Sequence, residues 1–75
     1  MRIVKIVDEN ITVAYGLDHA LGYFIQVFDK RQITDNNDEG IVIDEDYLFD
    51  FLTKDKFEFY LKKYNCDLSI LNQIE

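Results

Sequence analysis

The fold of this chain is decided by Ile3-Val4-Lys5-Ile6-Val7-Asp8-Glu9-Asn10-Ile11-Thr12-Val13-Ala14-Tyr15. Both ends of this stretch are short runs rich in β-branched residues, which favour extended backbone. Between them, Asp8-Glu9-Asn10 is made of residues that favour turns. The pattern predicts a hairpin of two antiparallel strands, 3–7 and 11–15.

A third strand is predicted from Tyr23 to Phe28, with Ile33 as the furthest extent of the run, after a loop bracketed by Gly16 and Gly22. Its alternate residues form two faces, and both faces are mostly apolar. A strand of this kind is central and covered on two sides, or covered on one side and open to a partner on the other.

The turn formers of segment 35–40 are expected to reverse the chain into a short strand, 41–43. A first helix follows, capped by Asp44 or Asp46, whose predicted inner face holds Tyr47, Leu48, Phe51 and Leu52. A second helix is predicted to begin after Thr53 as N-cap, because this start aligns Phe57, Tyr60, Leu61 and Tyr64.

Two further signals mark the C-terminal region of the sequence. Asn65 suits a left-handed cap after the second helix, and Asp67 suits the start of a last short helix with Leu68, Leu71 and Ile74 facing inward. The predicted fold class is α+β, with a small antiparallel sheet of three to four strands in the N-terminal half packed against two to three C-terminal helices. The absence of a linker-like segment predicts a single compact domain over 1–75.

The composition restricts the class of partner. Fifteen Asp and Glu against eight Lys and Arg give a net charge of −7. Nucleic acids and anionic membranes attract cationic surfaces, so direct binding to either is not expected, and a basic protein surface is favoured. Only one cysteine is present and no apolar run is long enough for a signal peptide or a membrane span, so we expect a cytoplasmic location.

The acidic residues concentrate between Gln32 and Thr53, where there is no Lys or Arg. The seven carboxylates of this run are Asp35, Asp38, Glu39, Asp44, Glu45, Asp46 and Asp50. Phe49 and Phe59 are predicted to point away from the inner stripes of their helices, so either a neighbouring helix covers them or they form a hydrophobic contact patch. The predicted partner-binding residues are Asp38, Glu39, Asp44, Glu45, Asp46, Phe49, Asp50 and Phe59.

Segment 35–46 also matches part of a calcium-binding EF-hand loop. Asp35, Asn37, Glu39 and Asp46 occupy ligand positions, with Gly40 at the position of the sharp turn. Glu39 is oversized for its position, and Asp46 reaches less far than the Glu that usually closes such a loop. A strand also precedes the segment where a helix is expected. An acidic turn explains the same residues.

No catalytic motif is present in the sequence. His19 is the only histidine and Cys66 the only cysteine, and neither is accompanied by the residues that nucleophilic catalysis or a zinc site requires. We therefore expect a non-enzymatic, cofactor-free acidic module that binds a basic protein. One form is a nucleic-acid mimic that inhibits a nucleic-acid-handling protein, as phage and mobile-element inhibitors do. The alternatives are a calcium-binding domain and a structural homodimer that buries the two-faced strand at a two-fold axis.

Overall fold

The computed structural model describes residues 1–74. Four strands come first: β1 (Arg2–Ile6), β2 (Ile11–Asp18), β3 (Gly22–Asp29) and β4 (Ile41–Asp46). Two α-helices follow, α1 (Tyr47–Asp50) and α2 (Lys54–Lys63), and 3-10 helices occupy Lys30–Gln32 and Leu68–Gln73. The predicted α+β class is confirmed, with a four-stranded antiparallel sheet in the N-terminal half followed by the C-terminal helices.

The sheet is a meander in which each strand pairs with its neighbour in sequence, in the order β1-β2-β3-β4. Aspartates close the first two turns. Asp8 Oδ1 accepts hydrogen bonds from the backbone N–H of Asn10 and Ile11, and Asp18 Oδ1 accepts them from Ala20 and Leu21. These bonds satisfy turn amides that the strand ladder cannot reach. The hairpin predicted from the opening stretch is therefore present, and β2 continues through Gly16 to Asp18.

One face of the sheet carries the hydrophobic core. Alternate residues of the two central strands are buried there, and α2 contributes Phe57 and Leu61, both fully buried. The ring of Phe57 stacks on that of Tyr23 with centroids 5.2 Å apart. The rest of the buried cluster comes from the flanking segments and includes Leu52, Cys66 and Ile70.

The opposite face of the sheet is open. Val4, Ile6 and Val42 are 56%, 75% and 45% exposed, and Phe24 and Phe28 are half-buried. Of the two arrangements predicted for the third strand, the structure has the one with a single covered face. The alternation of Tyr23, Ile25 and Val27 with their outward neighbours produces this result, because successive side chains of a strand point to opposite faces.

The fourth strand is longer than the predicted 41–43. It continues through Asp44 and Glu45, which lie opposite Gln26 and Ile25 of β3. Acidic residues have low intrinsic strand propensity, but pairing with a central strand outweighs this preference. Asp44 and Glu45 therefore project to opposite faces of the sheet. Of the two residues predicted to cap the first helix, Asp46 is the N-cap and Asp44 is not.

The first helix is a single turn, which removes its predicted inner face. Phe51 adopts a left-handed conformation with φ 56° and ends α1 at Asp50. Leu52 is buried as predicted, whereas Tyr47, Leu48 and Phe51 are exposed. The prediction failed for these three because a stripe at helical spacing needs more than one turn to form a face.

The second helix begins and ends as predicted. Thr53 is the N-cap, and its hydroxyl oxygen accepts a hydrogen bond from Lys56 N at 3.1 Å. Asn65 has φ 56°, the left-handed conformation expected after the helix, and Lys5 Nζ donates to its carbonyl oxygen. Asp67 caps the last helix, but Ile70 rather than Leu68 is its most buried residue. In a 3-10 helix these two positions lie about 240° apart, so only one can face the sheet.

Candidate functional site

The short helix α1 is fixed by reciprocal hydrogen bonds. Asp46 Oδ1 accepts from Phe49 N at 2.6 Å, and Asp50 Oδ2 accepts from Asp46 N at 3.0 Å. Two backbone bonds tie the same turn to its surroundings, from Leu48 N to Leu21 O and from Leu52 N to Asp46 O, each 3.1 Å long. The turn is therefore held in place although it buries none of its own side chains.

Four apolar side chains of this turn face solvent, and we call them the α1 patch. Tyr47, Leu48, Phe49 and Phe51 are 56%, 48%, 71% and 81% exposed, respectively. They are close neighbours in sequence, unlike the single exposed apolar residues that are normal on protein surfaces. Tyr47, Leu48 and Phe51 line a common cavity, and exposed apolar surface concentrated in one place is typical of interaction sites.

An open cavity of about 480 Å³ lies beside the α1 patch. Its floor includes Tyr23, whose ring lies 5.3 Å from that of Tyr47. The other lining residues are Leu48, Phe51, Leu52, Thr53 and Lys54. Apolar walls with a few polar groups at the rim are typical of pockets that take an apolar side chain or a small ligand.

The carboxylates next to the patch have different roles. One carboxylate oxygen of Asp46 and one of Asp50 accept hydrogen bonds from backbone N–H groups of the α1 turn, so both residues have a structural role. Asp44 is exposed and lies on the open face of the sheet, where Oδ1 accepts a 3.4 Å hydrogen bond from Gln26 Nε2. Of these three side chains, Asp44 is the one most available to an incoming cation.

Glu45 is the clear exception in the predicted binding set, because α2 neutralises it. Lys56 Nζ donates to Oε1 at 2.9 Å, and the Tyr60 hydroxyl donates to Oε2 at 2.7 Å. Burial works to raise the pKa of Glu45, but these two hydrogen bonds outweigh it and lower the pKa below the ordinary range. The acidic run thus has basic compensation from outside its own segment, and Glu45 belongs to the sheet–helix junction rather than to a free acidic edge.

The remaining members of the predicted binding set lie elsewhere. Asp38 and Glu39 are exposed in the turn before β4, at the opposite end of that strand from Asp44. A strand of six residues spans roughly 17 Å at about 3.4 Å per residue. Phe59 is 60% exposed on α2, packs against Tyr60 at 5.9 Å between centroids, and is not part of the cavity wall. The structure therefore does not unite the predicted set in one place.

The four residues considered for calcium do not converge. Asp46 stands at the far end of β4 from Asp35 and Glu39, because the intervening segment is strand rather than loop. The Asn37 amide is occupied by Ile41, donating to its carbonyl at 2.9 Å and accepting from its N–H at 3.0 Å. Within residues 1–74, no group of three or more His, Cys, Asp or Glu side chains is placed to hold a metal ion.

Two side chains, His19 and Cys66, are potentially reactive. His19 is exposed in the β2–β3 turn, while the neighbouring Asp18 carboxylate serves backbone amides instead. Cys66 is buried, and burial raises the pKa of its thiol, which disfavours the reactive thiolate.

Sequence reasoning missed Tyr47, Leu48 and Phe51 as surface residues. A usable signal was present in the spacing of Asp46 and Thr53, since both are strong N-cap residues seven positions apart. Two caps so close together leave room for only one turn between them.

Among residues 1–74 no helix has the length and apolar character required to cross a membrane. Comparison of the chain with family models, with curated proteins and with solved structures gave no match.

Proposed function

We propose that this protein is a non-enzymatic binding module that docks a protein partner through the α1 patch. The observation that carries the proposal is the exposure of Phe49 and Phe51, at 71% and 81%, on a turn that four hydrogen bonds hold in place. Aromatic side chains presented on a fixed backbone bind with little loss of conformational freedom.

The chemistry around the patch specifies the partner. The cavity suits one apolar anchor side chain, and the carboxylates of Asp44, Asp46 and Asp50 adjoin the patch in sequence. With the net charge of −7, this arrangement favours an apolar anchor surrounded by Lys or Arg. Complementary charge accelerates the encounter with such a surface, and the buried anchor supplies most of the affinity.

Proteins that handle nucleic acids are one class with such basic surfaces. Asp44 at one end of β4 and Asp38 and Glu39 at the other present exposed carboxylates along the edge of the sheet. A module of this kind would compete with nucleic-acid phosphates for a basic groove and so inhibit the protein that carries the groove. This is the nucleic-acid-mimic form of the proposal. The residues of β4 between these carboxylates are apolar, so the charges do not form a continuous line. The α1 patch is therefore the main source of affinity.

Selection from a displayed library of random 16-residue peptides tests the proposal. Peptides are selected on the wild-type protein and counter-screened on a Phe49→Ser, Phe51→Gly double variant. A Leu68→Ser variant is the matched control, because Leu68 is exposed on the last helix. We expect the enriched peptides to carry one apolar anchor flanked by Lys or Arg. They should bind the Leu68→Ser control but not the double variant. Peptides that bind all three proteins equally, or no enrichment, would overturn the proposal.

The nucleic-acid-mimic form has a separate test. Proteins captured from a native extract at low and high salt are identified by mass spectrometry and then challenged with duplex DNA. Asp38→Lys, Glu39→Lys and Asp44→Lys together are the appropriate variant, because these side chains are exposed and none caps α1. We expect the wild-type protein to capture a nucleic-acid-binding protein that duplex DNA displaces. The triple variant should not capture that protein. Capture unaffected by DNA and by the variant would contradict this form.

A further inference from the structure

The open face of the sheet carries a second, independent surface. Its apolar side chains are Val4, Ile6, Phe24, Phe28 and Val42, and the first two with Val42 are 45% to 75% exposed. The helices of residues 1–74 that pack on the sheet bury the other face. Antiparallel sheets tolerate one solvated face when that face is polar, and an apolar one resembles half of a β-sandwich.

We infer that two copies of this chain pack through these open faces to form a symmetric dimer. The charges of the face determine the arrangement. Arg2 and Asp46 lie at the same level on opposite edges of the sheet, on β1 and β4, because Arg2 pairs with Gly16, Gly16 with Phe24 and Phe24 with Asp46. Asp44 lies two residues further along the acidic edge and belongs to the same face as Gln26.

Only one orientation of the two-fold axis brings opposite charges together. An axis parallel to the strands places β1 of one copy against β4 of the other, so Arg2 meets the Asp44–Asp46 edge twice by symmetry. An axis perpendicular to the strands places β4 against β4 and brings the Asp44 carboxylates towards each other, which is repulsive. Among residues 1–74 of one copy, Arg2 donates a long hydrogen bond to Gln26 Oε1, and Gln26 Nε2 donates another to Asp44 Oδ1, each 3.4 Å. A second copy offers Arg2 a charged acceptor instead.

The size of the face predicts a weak dimer. Four strands about 4.8 Å apart and five residues of about 3.4 Å cover roughly 19 Å by 17 Å, or roughly 320 Å² in projection on each copy. Protruding side chains make the accessible area larger than this projection. The accessible area removed from both copies together is therefore on the order of 1,000 Å², the lower limit for specific interfaces. The dimer should therefore dissociate on dilution.

Sedimentation equilibrium of the full chain, from about 20 µM to about 1 mM at about 150 mM salt, measures the dimer directly, since screening at this ionic strength limits repulsion between two acidic copies. We expect a concentration-dependent dimer that Ile6→Lys abolishes without a change in monomer stability, because Ile6 is 75% exposed. Lys62→Glu, on an exposed position of α2, is the control and should leave the dimer intact. A wild-type protein that is monomeric throughout this range would overturn the inference.

Charge exchange tests the orientation. Arg2→Glu or Asp44→Arg alone should weaken the dimer about 10-fold, because each removes two symmetry-related attractions. The double variant Arg2→Glu, Asp44→Arg should recover to within about 3-fold of wild type, since the pair is restored across the two-fold axis. Additive losses in the double variant would contradict the parallel axis. Asp44 also adjoins the α1 patch in sequence, whereas Ile6 lies on β1, outside that patch. The result for Ile6→Lys is therefore the one that is independent of the peptide selection described above.

Discussion

Replacement of Phe51 separates backbone strain from side-chain burial at the site. Phe51 has φ 56° and is 81% exposed, whereas a left-handed backbone costs a residue with a Cβ about 1–2 kcal/mol. Glycine avoids this cost but loses about 0.5–1 kcal/mol more backbone entropy on folding. The net preference for glycine over alanine at this position is therefore about 0.5–1 kcal/mol.

The phenyl group itself contributes little to stability. With 81% of the residue exposed, about a fifth of the roughly 2–3 kcal/mol available from full burial is realised, or roughly 0.5 kcal/mol. Phe51→Ala loses this contribution and keeps the strain, so it should destabilise the protein by about 0.5 kcal/mol. Phe51→Gly loses the same contact and relieves the strain, so its free energy of unfolding should lie close to that of wild type.

Urea denaturation followed by circular dichroism measures both free energies. Phe59 is the matched control, because it is also an exposed phenylalanine but lies inside the right-handed helix α2. At Phe59 the order should reverse, with alanine about 1 kcal/mol more stable than glycine. If alanine equals or exceeds glycine at both positions, the left-handed strain assigned to Phe51 is refuted.

Substitutions at three further positions test the cap of α2, the core and the hydrogen bonds of Glu45. Thr53→Ala should cost about 1 kcal/mol by freeing Lys56 N, while Thr53→Ser should retain most of the cap, as urea midpoints would show. Phe57→Ala should cost about 3–5 kcal/mol because Phe57 is fully buried, a loss measurable as a large drop in melting temperature. The pKa of Glu45 is lower in the folded state than its ordinary value of 4.5, so its carboxylate stabilises the fold above that value and stops doing so as the pH falls through the folded-state pKa. Between about pH 6 and pH 3, the free energy of unfolding of the Glu45→Gln variant should therefore fall less than that of wild type. An unchanged pH profile would argue against the Lys56 and Tyr60 hydrogen bonds.

Local patterns in the sequence predicted most of the fold. The alternation of residues 23–28 predicted a strand with two apolar faces but not which face is covered, and Thr53 identified the start of α2. These signals work because side-chain period and capping act within a few residues. The length of β4 was not predictable in this way, since Asp44 and Glu45 become strand residues only through pairing with β3.

The candidate site was predicted only in part. Charge identified the acidic segment, and helical spacing turned Phe49 away from the inner stripe without deciding whether it is exposed. The contacts of Glu45 with Lys56 and Tyr60 span 11 and 15 residues of chain. Such contacts depend on the way α2 crosses the sheet, and no local rule contains that information. The left-handed Phe51 was equally hidden, because a phenylalanine carries no preference for that conformation.

The meander order of the sheet has a consequence for how quickly the chain folds. Every strand pairs with its neighbour in sequence, and the longest connection within the sheet is the segment between β3 and β4, residues 30–40. Short loop closures lower the entropic barrier to folding. The sequence contains no proline, so no prolyl isomerisation delays a fraction of the molecules by tens of seconds. Refolding from urea should consequently run to completion without a slow phase, and a newly made chain should bury its core residues before it meets another chain.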